Sequence, residues 1–468
     1  VVTTVVSALA ITHAAMTKRD VRAAIGWVGV ILFSPLFGAV IYFVVGVNRI
    51  RKEKVLQQLD NAVRLEEIRD RFLVTSVEQF SGPQFAAQKK LGDHISRFRL
   101  LGQNKIKMMS GGDETYAAML GAINGARRSI AVQSYIFDHD KVGVQIAHAL
   151  IAAKNRGIDV RVLIDSVGSK YSRPAITHIL EKGGVKTALF MTTFFGLRLV
   201  YANLRSHRKV MIIDGQLGLT GGMNIRQDFS SVEMGDKVMK DTHFELEGPI
   251  VYQLMLSFAH DWAFTTGESL VGDQWFPLDD SILPEHGVPM RCVPSGPDAS
   301  LSSNHDMLLG ALSVARHHVR IQSPYFLPDL QLIAALSTAA RRGVSVDIVV
   351  PGANNLKTVG AAMAAQFDQV IETGCRVWRA SGAFDHSKLC TIDGAWSYVG
   401  SSNLDPRSLR LNFELDLEVF DRELASQLDA RIDAVIANAT LITLESLAAQ
   451  PFLIRLRNKV AWLFSPYL

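Results

Sequence analysis

An uncharged apolar run, Ile25 to Val47, stands apart from the rest of the chain, where apolar and polar positions alternate in short blocks. Its 23 residues are long enough to cross a bilayer as a helix. Pro35, with Gly29 and Gly38 nearby, is placed to kink it, and Trp27 and Tyr42 suit the two interfaces. The shorter apolar stretch Val1 to Met16 reads as a first span with a trimmed or shallow start. An interfacial helix and the remains of a signal peptide are the alternatives. From residue 48 to about 95 the period becomes helical and the composition charged (VLQQLDNAVRLEEIRDRFL), which predicts a juxtamembrane stalk.

The remainder is written twice. ARRSIAVQSYIF (126–137) matches ARHHVRIQSPYF (315–326), with Gln133-Ser134 over Gln322-Ser323. Helical segments then end in NRGIDVRVLID (155–165) and RRGVSVDIVVP (341–351), and SHRKVMIIDGQLGLTGGMN (206–224) matches DHSKLCTIDGAWSYVGSSN (385–403). Each half therefore reads strand, helix, strand, then a strand–turn–strand bearing a polar motif. Runs such as IAVQSYI, VRVLI, KVMIID and VDIVV suit strands buried on both faces. The predicted fold class is α/β: two lobes related by a pseudo-twofold axis, each a mixed β-sheet flanked by helices, together with N-terminal transmembrane helices. The predicted division is a membrane anchor over 1–54, a helical stalk over 55–100, lobes over 101–285 and 286–450, and an amphipathic segment over 451–468.

Charge sharpens this picture. Residues 1–54 hold seven basic and two acidic side chains, which leaves 42 basic and 43 acidic in the rest. The basicity belongs to the membrane flanks, whereas a nucleic-acid enzyme would spread it over the catalytic body. The cluster Arg49, Arg51, Lys52 and Lys54, set against Lys18, Arg19 and Arg22, places the lobes on the cytoplasmic side by the positive-inside rule. The mean hydropathy of +0.16 is high for a soluble enzyme, and the N-terminus accounts for it. Cys292, Cys375 and Cys390 form neither a CxxC pair nor a disulfide framework. Asp138-His139-Asp140 reads as a solvated loop rather than a metal site, and His317-His318 as a helix end.

One set of chemically capable side chains recurs in both halves. His207, Lys209, Asp214, Gly221, Gly222 and Asn224 in the first correspond to His386, Lys388, Asp393, Gly400, Ser401 and Asn403 in the second. Residues two apart on a strand project from one face, so each His and Lys point into a common cleft. Two imidazoles, two ammonium groups and two amides suit a phosphodiester: cations clamp its oxygens while one His attacks phosphorus and the other protonates the leaving alkoxide.

The doubled His-x-Lys-x4-Asp signature resembles the phospholipase D superfamily. With the apolar N-terminus, the QSYIF and SPYF segments and NFELDLEVF (412–420), the whole chain is similar to bacterial cardiolipin synthases. The resemblance implies transfer of a phosphatidyl group from one phosphatidylglycerol to another through a phosphohistidine. It implies His207 as nucleophile, His386 as general acid and then base, and Lys209, Lys388, Asn224 and Asn403 on the phosphate oxygens. Asp214 and Asp393 would support the histidine loops, while Glu414 and Asp241 would orient the histidines through their second nitrogens. It implies no cofactor and no metal, anionic phospholipid substrates, contact with a membrane, no nucleic acid, and the bacterial cytoplasmic (inner) membrane as location. A homo-oligomer, hydrolysis and another acceptor alcohol remain open, and a non-catalytic scaffold would have lost one of these residues. Two further stretches suit lipid. In MTTFFGLRLVYANLR (191–205), Phe194, Phe195, Leu197 and Leu199 would meet acyl chains, and Arg198 and Arg205 phosphates. PFLIRLRNKVAWLFSPYL (451–468) suits an interfacial helix.

Overall fold

The computed structural model describes residues 2–18, 21–46, 65–191, 204–277, 287–297 and 301–465. It comprises two units, 1–51 with 191–204, and 52–190 with 205–468.

In the first unit the apolar run is not one helix. Helices Val2–Thr17, Val21–Phe33 and Pro35–Ile41 are followed by a π-helical turn, Tyr42–Gly46. Ser34 leaves the helical backbone (φ −141°, ψ 74°), and Pro35, which has no N–H to donate, starts a new helix. Gly38 packs so tightly on the Val30 carbonyl that a Cβ there would lie 2.5 Å from its oxygen. Ala10, Ala14, Ile31, Ala39 and Tyr42 form a small buried cluster, and His13 Nδ1 lies 2.7 Å from the Tyr42 hydroxyl. Among the described residues no helix is long and apolar enough to cross a membrane. This corrects the expectation of N-terminal transmembrane helices, and with it the assignment to the cytoplasmic membrane with the lobes on its cytoplasmic side. The physical reason is the break at Ser34-Pro35, which divides the apolar run into helices of 13 and 7 residues. Arg19, Arg49, Arg51, Lys52 and Lys54, and stalk residues 55–64, lie outside the described residues.

Among the described residues the second unit is built on one mixed sheet of 16 strands. The first lobe contributes β1 (Leu101–Ser110), β2 (Ser129–Ser134), β3 (Asp159–Asp165), β4 (Lys186–Phe190), β5 (Arg205–Ser206), β6 (Val210–Ile213), β7 (Leu217–Gly221) and β8 (Thr242–Glu247). The second contributes β9 (Val288–Ser295), β10 (His318–Gln322), β11 (Ser345–Pro351), β12 (Arg376–Ala380), β13 (Leu389–Ile392), β14 (Trp396–Gly400), β15 (Asn412–Val419) and β16 (Thr440–Ile442). The order β1-β8-β7-β6-β2-β3-β4 is repeated as β9-β15-β14-β13-β10-β11-β12, with β16 beyond it, and antiparallel β1 and β9 join the halves. In each half the first, parallel crossover is a helix, Lys141–Asn155 or Leu330–Arg341. Each is capped by an aspartate, Asp140 accepting from the Gly143 amide and Asp329 from the Leu332 amide.

Three local readings change. Asp138 is buried and pairs with Arg226 at 3.3 Å, while Asp140 is a helix cap, so these two are not a solvated loop. His318 opens β10 rather than ending a helix, with Nε2 3.0 Å from Asp429. The described part of the stalk is also not free-standing. Helix Phe85–Ile95 buries Phe85 in the second lobe's core, and Gln88 Nε2 donates to Met307 O and Glu418, each at 3.2 Å.

Arg291 on β9 ties that helix to the sheet. It is fully buried between Glu418 at 2.5 Å and Asp93 at 2.8 Å. Arg291→Ala, which strands the buried Glu418 carboxylate, is expected to lower unfolding free energy by about 3–5 kcal/mol. Chemical denaturation checks this, and an unchanged midpoint contradicts it.

Candidate active site

The duplicated motif enters each lobe as an extended segment leading into a hairpin, β6–β7 or β13–β14. Asp214-Gly215 and Asp393-Gly394 make the hairpin turns, and all four residues have positive φ, the turn chemistry that Asp-Gly favours. The Asp214 carboxylate accepts the amides of Arg127, Arg128 and Ser129 at 2.9, 2.7 and 2.9 Å. Asp393 does the same for Arg316, His317 and His318 at 2.9, 2.7 and 3.0 Å. These aspartates therefore pin the hairpin tips to β2 and β10. They do not line the cleft that holds the histidines, because a strand of several residues at about 3.3 Å per residue separates them from it.

His207 and His386 line one cleft of about 220 Å³, with Asn224 and Asn403. Each histidine is held by the opposite lobe. β5 pairs in parallel with β15, and the His207 amide continues that pairing by donating to Phe413 O at 2.8 Å. Its Nδ1 then lies 2.9 Å from Glu414 Oε2. In the second copy Lys240 bridges to Asp385, the His386 amide donates to Lys240 O at 2.7 Å, and Nδ1 lies 2.9 Å from Asp241 Oδ2. A proton on each Nδ1 directed at its carboxylate leaves Nε2 as the nitrogen with a free lone pair.

The two carboxylates differ in length, and their surroundings compensate. A Cβ at Gly222 would lie 2.5 Å from Asp241 Oδ1, so only glycine fits there. The corresponding Ser401 instead donates its hydroxyl to Glu414 at 2.6 Å, and Asn412 donates to the other oxygen at 3.1 Å. Gly221 and Gly400 allow equally close approach: a Cβ would lie 2.7 Å from His243 Nδ1 and 2.4 Å from Asp416 Oδ1. Lys209 and Lys388 are buried and curl back to the carbonyls of His207, at 2.6 Å, and His386. Asn224 Oδ1 accepts the Ile136 amide at 3.1 Å. Asn403 Oδ1 is buried without a hydrogen-bond partner among the described residues.

Burial dominates the electrostatics. It holds His386 down at about 4, reinforced by Lys388 and opposed by Asp241. It lowers His207 as well, against Glu414 and with Lys209. Burial also brings Lys209 to about 7 and Lys388 to about 8. Glu414 and Asp241 stay below their ordinary values although burial pushes upward, chiefly through His207 and Lys388 respectively. By itself such a cleft favours neutral imidazoles and weakened ammonium groups. An arriving phosphodiester anion favours the protonated forms of both.

Several cleft residues were not singled out by the sequence reading: Tyr135 and Tyr325, although they lie in the repeated QSYIF and SPYF segments, and Tyr171, Arg226, Asp405 and Arg407. Tyr135 lies 5.3 Å from the His207 ring and Tyr325 6.2 Å from the His386 ring. They come from connections after β2, β3, β7, β10 and β14, where only the folded topology brings them together. Arg205 also lines the cleft, while Phe194, Phe195, Leu197, Arg198 and Leu199 lie outside the described residues. Among the described residues no group of His, Cys, Asp and Glu is arranged to hold a metal.

Two lobes that each deliver the histidine of a His-x-Lys pair to one cleft, with the buried lysine folded back on the histidine's own carbonyl, define the phospholipase D class. A family model described as cardiolipin synthase, phospholipase D-like domain, matches residues 119–262 and 308–436, and one described as phospholipase D-nuclease N-terminal matches 5–46. The chain belongs to this cardiolipin synthase family. Cardiolipin synthase A of Pseudomonas entomophila (strain L48) is 31% identical over 98% of this chain and 96% of that one. Cardiolipin synthase A of Pseudomonas syringae pv. syringae (strain B728a) is 32% identical over 97% and 95%. The crystal structure of phosphatidylserine synthase from Haemophilus influenzae Rd KW20 shares the fold, with TM-score 0.62 and 17% identity over 81% of this chain and 100% of that one.

The electrostatics give a direct expectation. His386 should titrate near 4, below its ordinary 6.5, and Lys388→Met should raise the midpoint because a neighbouring cation is removed. The stability contributed by neutral His386 is then complete above pH 6.5 and is lost as pH falls towards 4. Histidine-resolved NMR titration measures both midpoints. A wild-type value at or above 6.5 contradicts the burial argument.

Proposed function

We propose that His207 is the nucleophile and His386 the general acid, then base, of the chain's phosphatidyltransfer, with phosphatidylglycerol as both donor and acceptor. The activity itself is of the cardiolipin synthase type. Phosphodiester transfer needs an attacking and a leaving group on opposite sides of phosphorus. The observation that carries the reading is the shared cleft: two imidazoles, one from each lobe, each with Nδ1 on a carboxylate of the other lobe.

In the first step His207 Nε2 bonds to phosphorus, the P–O bond to glycerol breaks, and His386 gives its proton to the departing alkoxide. In the second, the terminal hydroxyl of another phosphatidylglycerol loses its proton to His386, its oxygen bonds to phosphorus, and the N–P bond breaks. Lys209, Lys388, Asn224 and Asn403 carry the phosphate charge. Glu414 stabilises the cationic phosphoimidazole at His207, and it is the better braced carboxylate, with Ser401 and Asn412 on it. That bracing is why the nucleophile is assigned to His207. One phosphodiester replaces another, so no ATP is required.

The lipid must be reached at a surface, and helix Phe452–Leu463 offers one. Phe452, Leu453, Leu456, Val460 and Leu463 are exposed at helical spacing, and Arg455, Arg457 and Lys459 are exposed with them. The opposite side buries Asn458, and Lys459 donates to Ala365 O at 2.7 Å. Exposed apolar side chains among cations suit an anionic bilayer surface.

Purified protein given phosphatidylglycerol vesicles should form cardiolipin and glycerol. Abundant phosphatidic acid would identify a hydrolase instead. His207→Ala and His386→Ala should each lower turnover by about 10³-fold or more, and activity retained in either overturns the two-histidine mechanism. Leu453→Glu with Leu463→Glu should slow turnover on vesicles but not in detergent micelles, and equal rates on both remove the helix from lipid contact.

A further inference from the structure

The reacting phosphate accounts for only half of the charge that cardiolipin synthesis brings into the cleft. The acceptor lipid arrives with a phosphodiester of its own, a glycerol unit away from the hydroxyl that attacks. Lys209 and Lys388 sit beneath the histidines, each turned back to a histidine carbonyl, which suits the phosphate at the reaction centre. A second anion drawn into a largely buried cleft would be strongly destabilised without cations of its own.

Among the described residues three arginines line the same cleft. Arg226 is engaged by Asp138 at 3.3 Å and Asp228 at 2.8 Å. Arg205 and Arg407 come one from each lobe and, unlike Arg226, lie on the two segments that the β5–β15 pairing joins. Arg205 opens β5 opposite Asn412, and Arg407 lies in the helical turn Pro406–Arg410, capped by Asp405, immediately before β15. The β5–β15 pairing that sets His207 against Glu414 thus also brings these two arginines to one wall. Asp165, which faces Arg205, accepts the amides of Val167, Gly168 and Ser206. Arg205 is half-buried, and its pKa is lowered by that burial and, against the pull of Asp165, by the Arg407 charge. Two guanidinium groups that feel each other's charge in one cleft favour a shared anion, and their planar forks match phosphate oxygens.

We propose that Arg205 and Arg407 form a second phosphodiester subsite that holds the phosphate of the acceptor phospholipid. The proposal rests on the phosphatidyltransfer reading and adds to it the basis of acceptor choice. Water and glycerol carry no phosphate and gain nothing from the pair. A phosphatidylglycerol acceptor is positioned by it, so its hydroxyl reaches the phosphohistidine more often than its concentration alone would allow.

A partition experiment tests this on the full chain with phosphatidylglycerol vesicles and radiolabelled glycerol. The same intermediate yields labelled phosphatidylglycerol when glycerol attacks and cardiolipin when lipid attacks. The product ratio is therefore independent of how much enzyme has folded. In Arg205→Gln and Arg407→Gln the ratio of cardiolipin to labelled phosphatidylglycerol should fall about tenfold or more, equivalent to about 1.4 kcal/mol. Arg→Lys at either position, which keeps the charge without the fork, should give an intermediate ratio. A wild-type ratio in the Gln variants, including a parallel loss of both products, overturns the subsite while leaving phosphatidyltransfer standing. A wild-type protein that makes neither product overturns phosphatidyltransfer, and the subsite with it.

Discussion

Each half of this molecule completes the other's histidine. The imidazole of one lobe donates from Nδ1 to a carboxylate of the other, and its backbone amide is held by a carbonyl from the same foreign segment. Neither lobe alone would carry an oriented imidazole, because Glu414 and Asp241 are supplied across the junction. The continuous sheet through β1 and β9 makes this exchange geometrically dependable. A buried imidazole–carboxylate pair is costly to desolvate, and it is retained here by further donors: Ser401 and Asn412 on Glu414, and the Thr242 amide on Asp241.

The same burial sets the chemical state of the cleft. Imidazoles held below their ordinary values are nucleophilic at neutral pH, and lysines near neutrality respond readily to an arriving anion. The site is thus tuned by its ligand: phosphate binding supplies the negative charge that the buried cations lack. The motif aspartates act at a distance, as braces for the hairpins that aim His207 and His386.

Much of this was legible in the chain because duplication amplifies a weak signal. A lone His-x-Lys means little, whereas the same pair twice, each followed by Asp-Gly and then a glycine, marks two equivalent hairpins. The strands carrying them are short and predominantly apolar, so the α/β layering was readable too. The cross-lobe contacts were not, since nothing local ties Arg205 to Asn412 or Lys240 to Asp385. Arg407, just ahead of β15, meets Arg205 in the cleft only through that pairing. The N-terminus misled for a different reason. Hydropathy sums over residues, but a span also needs one helix long enough to cross, and the break at Ser34-Pro35 divides this run into helices of 13 and 7 residues.

The central claim is that a single phosphorus passes through His207 while His386 moves the proton. The most direct test is to quench the enzyme with denaturant at neutral pH during turnover of phosphatidylglycerol radiolabelled at phosphorus and map the acid-labile label by peptide mass spectrometry. The account predicts the label on the peptide containing His207. Label on His386 alone, on both histidines equally, or on neither would contradict it.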